Sequence, residues 1–133
     1  MKEITLAATI DNLGSVTEFV ETELEENGCS MKAIMQTNVI IDEIFSNIVN
    51  YAYNPDIGSA TVMVDYENKC IVLKFIDCGK PYNPLEKEDP DITLSAEDRE
   101  VGGLGIFMVK KLATSMQYEY KDGKNILTIT KNI

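Results

Sequence analysis

The sequence contains no histidine in 133 residues. That absence excludes a Ser–His or Cys–His nucleophile, a histidine zinc ligand and a phosphohistidine intermediate. Positive charge is scarce as well, with 12 Lys and Arg against 22 Asp and Glu and a net charge of −10. Nucleic-acid binding requires cations that replace counterions along the phosphates, so no direct nucleic-acid contact is expected, and a basic protein surface suits the chain better. The cysteines Cys29, Cys70 and Cys78 are odd in number and lack metal-ligand spacing; they read as reduced, packed thiols. No run of about 20 apolar residues occurs, so no membrane-spanning helix is expected. Met1-Lys2-Glu3-Ile4-Thr5 lacks the apolar core of a secretory signal, and the expected location is the cytoplasm.

What is present suits a single domain over residues 1–133, with an ordinary apolar fraction of 44%. "KEITLAATI" alternates mildly and reads as a strand. Asp11 is expected to cap a helix with the stripe Leu13, Val16, Val20 and Leu24, stopped by Gly28. Ser30 is expected to cap a longer helix reaching about Tyr53, ended by "NPDIG". "SATVMVDY" and "CIVLKFIDC" flank the turn "ENK" and read as antiparallel strands. Residues 80–102 carry Pro81, Pro84 and Pro90 with seven acidic residues, a loop long enough to be functional or disordered. A third helix follows. "MQYEYK" and "NILTITK" then flank Asp122-Gly123, a strong hairpin signal. This order predicts an α/β (α+β) two-layer sandwich, its sheet mixed but mainly antiparallel, with helices on one face.

Three stretches carry chemistry. In "AIMQTNVIIDEIFSNIVNYAYN", a period of 100° per residue puts Ile34, Ile41, Phe45, Ile48 and Ala52 on a core stripe. Gln36, Glu43, Asn47, Asn50 and Asn54 fall opposite. An ordinary solvated face would be rich in Lys, Arg and Glu; asparagine is a poor helix former, and residues that break a local rule are expected where function asks for them. Glu43 and Asn47, four apart, project side by side and suit a general base next to a hard-metal ligand. In "KFIDCGKPYNP", Asp77 ends an apolar strand and can accept from an exocyclic amine, with Gly79 leaving room for a flat ring; alone, the stretch also reads as a commonplace Asp-x-Gly turn. In "REVGGLGIFMVKKLA", Gly102, Gly103 and Gly105 run into a helix whose N-terminal N–H groups suit phosphate, or they mark the end of a flexible loop. Neither a dinucleotide G-x-G-x-x-G fingerprint nor a Walker A loop is present.

In this order, "DEIFSNIVNYAY", "DCGKPYNP" and "VGGLGIF" resemble the N, G1 and G2 boxes of the GHKL ATPase superfamily, at about 42–54, 77–84 and 102–107. Among its members, the chain is similar to the bacterial anti-sigma factor serine/threonine kinases. The resemblance implies the histidine kinase-like (Bergerat) sandwich with a mobile ATP lid at about 80–101, and ATP and Mg²⁺ as cofactors. It implies Glu43 as the general base, Asn47 as the Mg²⁺ ligand, Asp77 as the reader of the adenine amine and Gly79 as the space for its ring. Gly102, Gly103 and Gly105 would cradle phosphate. Asn50 stands near the phosphates where relatives often carry a basic residue, so that charge is either missing or supplied by Lys80, Lys87, Arg99 or a partner. Asn125 stands near the point where many relatives place an adenine-binding threonine, and no role is assigned to it. The implied activity is transfer of the ATP γ-phosphoryl group to a small anti-sigma-factor antagonist, with sequestration of a sigma factor and homodimer formation. The alternative is a non-catalytic, ATP-gated interaction module.

Overall fold

In the computed structural model, residues 1–53, 56–86 and 103–133 are described. The chain runs β1 (Lys2–Ala7), α1 (Leu13–Glu26), α2 (Met31–Asn47), β2 (Ser59–Glu67), β3 (Cys70–Asp77), α3 (Gly103–Leu112), β4 (Ser115–Lys121) and β5 (Lys124–Asn132). Its five strands form one sheet in the order β1-β2-β3-β5-β4, and every pairing is antiparallel.

Period-two alternation decides which face of the sheet is covered. Ala60, Val62 and Val64 on β2, Ile71, Leu73 and Phe75 on β3, and Leu127 and Ile129 on β5 are all buried. The intervening residues remain partly exposed. Val16, Val20 and Leu24 of α1, Ile34, Ile41 and Phe45 of α2, and Ile106 and Val109 of α3 complete the core against that face. The result is the two-layer sandwich expected from the element order. Two-residue turns close both hairpins with positive φ at each central position, at Asn68 and Lys69 and again at Asp122 and Gly123, as the twist of paired strands favours.

Two local expectations are corrected. Asp11 caps no helix: it lies inside a 3₁₀ turn, Ile10–Asn12, and Asn12 precedes α1 without a side-chain capping bond. Its amide instead donates to Ala7 O at 2.8 Å. The second helix does reach the expected region, capped by Ser30 through Ala33 N, but its α-helical part ends at Asn47. A π-helical turn, Ile48–Ala52, follows. Such turns recur at functional sites, and this one sets the wall of the cleft described next.

Candidate nucleotide site

The central placement is made by strand pairing. β3 and β5 are antiparallel with Asp77 opposite Asn125. Both side chains face the helical layer and are nearly closed off, 7% and 6% exposed. A buried carboxylate requires partners, and Asp77 has two on one oxygen: Gly79 N and Asn125 Nδ2 each donate to Oδ1 at 2.9 Å. The Asn125 amide also donates to Lys80 O at 2.9 Å and accepts from Tyr82 N at 3.1 Å and from the Tyr118 hydroxyl.

These residues form one side of a cleft between the sheet and the end of α2. Asn47, Ile48 and Ala52 supply the opposite wall, and Tyr82, Tyr118 and Leu127 lie around the rim and floor. Like small-molecule sites, the cleft combines an apolar lining with a few placed polar groups. Burial raises the pKa of Tyr118, partly opposed by its hydrogen bonding near Tyr82, so its hydroxyl stays a donor at neutral pH.

Glu43 lies one helical turn before Asn47 and is half-buried. Its carboxylate packs on α3: a β-carbon placed on Gly105 would overlap Glu43 Oε2 and lie 2.8 Å from its Cδ. Among the predicted residues, the structure therefore brings together Asp77 and Asn47 in one cleft and places Glu43 against Gly105. Gly103 is the first residue of α3. Gly102, Asn54, Lys87, Arg99 and the lid beyond Glu86 lie outside the described residues. Lys80, at the start of that segment, lines the cleft.

Three expectations change. Asn50 is exposed and borders a separate depression with Thr9, Ile10 and Asp56. The wider π turn carries it round the axis, away from the face shared by Glu43 and Asn47. At Gly79 the glycine answers a packing demand, because the room a β-carbon would need is filled by the Ala52 backbone, 2.6 Å away at its carbonyl carbon. Lys80 N donates to the same carbonyl oxygen at 2.9 Å, so Gly79 joins the strand end to the π turn. The space beside Gly105 belongs to Glu43, so that glycine has a packing role as well as any role toward phosphate.

Sequence reasoning noted Asn125 without assigning it a role, and missed Tyr82 and Tyr118. A signal existed for the first: Asn125, Leu127 and Ile129 share one strand face, so an asparagine heads a core row and must find partners there. Tyr53 was missed too. It crosses above Gly58, donates to Ser59 O at 2.6 Å and accepts from Cys78 N at 2.7 Å, tying the start of β2 to the end of β3.

The family model described as histidine kinase-like ATPase domain matches residues 6–131. Curated relatives include the serine/threonine-protein kinase BtrW of Bordetella bronchiseptica, 28% identical over 92 residues that make up 68% of this chain and 65% of that protein. The serine-protein kinase RsbW of Bacillus cereus is 27% identical over 110 residues, 80% of this chain and 68% of that one. Among solved structures, the RsbU and RsbW domains of Rv1364c from Mycobacterium tuberculosis align with a TM-score of 0.68 at 18% identity, covering 99% of this chain and 32% of theirs. That likeness is one of fold. The chain thus spans just under two-thirds of BtrW and about a third of the Mycobacterium chain.

Proposed function

The chain belongs to the histidine kinase-like ATPase domain family, and from that premise we propose that it is an ATP-binding protein serine/threonine kinase of the anti-sigma regulatory type. The observation that carries the reading is the convergence of Asp77 and Asn47 on one cleft, with Glu43 a helical turn away from Asn47. The names of the relatives BtrW and RsbW supply the substrate class, a protein serine or threonine.

The residues fit the nucleotide and its metal. Asp77 Oδ1 is occupied by two donors, whereas Oδ2 makes no hydrogen bond among the described residues and suits an exocyclic amine. The apolar walls and tyrosines suit a flat heteroaromatic ring. Among the described residues no cluster of acidic, cysteine or histidine ligands could hold a metal by itself. Mg²⁺ in nucleotide sites is typically held by phosphates, water and one or two protein oxygens, so the single amide oxygen of Asn47 is an adequate anchor. Bound there, Mg²⁺ would neutralise charge on the phosphates. Glu43 would accept the proton of the attacking hydroxyl, and the free N–H groups of α3 would face the phosphates. In phosphoryl transfer, positioning and electrostatics do most of the work.

The protein partner we propose is a small anti-sigma-factor antagonist, with a sigma factor and a second copy of the chain as further partners. The net charge of −10 suits a basic face on one of them. A second reading, an ATP-gated interaction module without transfer, draws on the placement of Asn50 outside the cleft.

Calorimetric titration with ATP, with and without Mg²⁺, tests the site. Binding should tighten with Mg²⁺ in the wild type and lose that dependence in Asn47→Ala. Label transfer from γ-labelled ATP to a protein acceptor in an extract of the source cells, abolished by Glu43→Gln, separates kinase from module. Absence of ATP binding at millimolar concentration would overturn both.

A further inference from the structure

Asn125 has no atom to spare. An amide offers two donor hydrogens and an oxygen with two lone pairs. In Asn125 the hydrogens go to Asp77 Oδ1 and Lys80 O, with Gly79 O at a longer 3.4 Å. The oxygen accepts from Tyr82 N and Tyr118 Oη. The assignment is forced by the surroundings: a flipped amide would set its oxygen against a carboxylate and two carbonyls, and its NH₂ against two donors.

We propose that Asn125 is the positioning residue of the base-reading carboxylate: it holds Asp77 with Oδ1 pinned and Oδ2 presented to the cleft, and thereby sets the preference for a 6-amino over a 6-keto purine. This inference rests on the nucleotide reading of the same cleft. With its donors and acceptor engaged, Asn125 has no hydrogen bond left to offer a ligand and acts through its neighbours. Its side-chain amide pairs with Lys80 O and Tyr82 N much as a strand's backbone would, tying the start of β5 to the segment after Gly79. One side chain thus orders both the carboxylate and the backbone that closes the cleft beside it. An acceptor held in one orientation takes an N–H from the base and rejects a carbonyl at the same position, because an unpaired buried acceptor facing another acceptor is strongly disfavoured. A carboxylate free to swing loses that discrimination.

The test compares wild type, Asn125→Ala and Asn125→Asp by calorimetric titration with ATP and with GTP. The aspartate keeps the acceptor for Tyr82 N and Tyr118, but sets an oxygen where Asp77 Oδ1 found a donor; it is close to isosteric and serves if the alanine variant fails to fold. The wild type should prefer ATP by about 100-fold or more, and each variant should bind ATP at least about tenfold more weakly with the preference cut below about tenfold. In ligand-free Asn125→Ala, amide hydrogen exchange at Gly79 and Tyr82 should accelerate at least about tenfold while Val64 in β2 is unchanged. ATP affinity and preference within twofold of wild type in the variants would overturn the proposal. If the wild type bound neither purine, the nucleotide reading would fall and the specificity role with it. Unaccelerated exchange at Gly79 and Tyr82 would overturn the positioning role on its own, whatever the nucleotide result.

Discussion

The carboxylate of Glu43 occupies the space that a side chain on Gly105 would require. A residue of α2 is thereby seated on the first turns of α3, where the helix's free N–H groups favour negative charge. The sequence alone presents Gly105 as a member of a phosphate-type glycine cluster. In three dimensions its lack of a β-carbon decides where the proposed base lies.

This contact yields the first prediction. The group that a methyl at Gly105 would strike is the far end of a flexible side chain, so Gly105→Ala should displace Glu43 rather than unfold the protein. The helix gains up to about 1 kcal/mol from the propensity of alanine, which offsets the crowding. The thermal midpoint should shift by no more than about 3 °C and ATP affinity by less than about threefold. Phosphoryl transfer should fall at least about tenfold, because small misplacements of a reacting group are costly. Transfer at the wild-type rate would remove the Gly105 contact from the mechanism.

Gly79→Ala should behave in the opposite way. Its β-carbon would meet the backbone of Ala52, which is held by the Lys80 N–Ala52 O bond and cannot rotate aside. A loss of about 1–3 kcal/mol is expected, typical of overpacking, and is read from the urea midpoint at unchanged slope. A neutral substitution would show that the π turn yields more easily than its packing indicates.

Asp77→Asn keeps the shape of the side chain and an oxygen for Gly79 N and Asn125 Nδ2, but turns an NH₂ toward the cleft. ATP binding should weaken by at least about tenfold, with the melting temperature nearly unchanged. Titration calorimetry decides the point, and a loss below about threefold would reduce Asp77 to a turn residue.

Alkaline pH should destabilise the fold through two tyrosines. Burial is the largest cause raising the pKa of Tyr53 and of Tyr118 above the ordinary 10.0. The folded state therefore keeps protons that the unfolded chain releases, and stability falls as pH rises from about 10 through the folded-state values. Lys2, whose pKa is raised first by its hydrogen bond to Glu23, changes in the same sense. The tyrosine contribution is thus the difference between wild type and the Tyr53→Phe/Tyr118→Phe double variant, followed by urea unfolding from pH 8 to 11. Equal pH slopes in the two proteins would contradict it.

Local periodicity carried much of the outcome. The stripe of α2 is legible because 100° per residue leaves no other face for Ile34, Ile41, Phe45 and Ile48. The hairpin of β4 and β5 is legible because Asp122-Gly123 accepts positive φ. Asn50 was misplaced for a physical reason: the α-helical period holds only to Asn47, and nothing in "IVNYA" announces the π turn.

By itself, the sequence determined the helix faces, the strand alternation and the adjacency of Glu43 and Asn47, since each depends on residues a few positions apart on one element. Only the tertiary structure decided that β5 pairs with β3. That pairing sets Asp77 beside Asn125 across 48 residues and leaves Tyr82 and Tyr118 at the same cleft. It likewise decided which glycine meets which neighbour, Gly79 on Ala52 and Gly105 on Glu43. Contacts of that kind depend on which elements the core brings together, and the period of a single strand or helix contains no record of its neighbour.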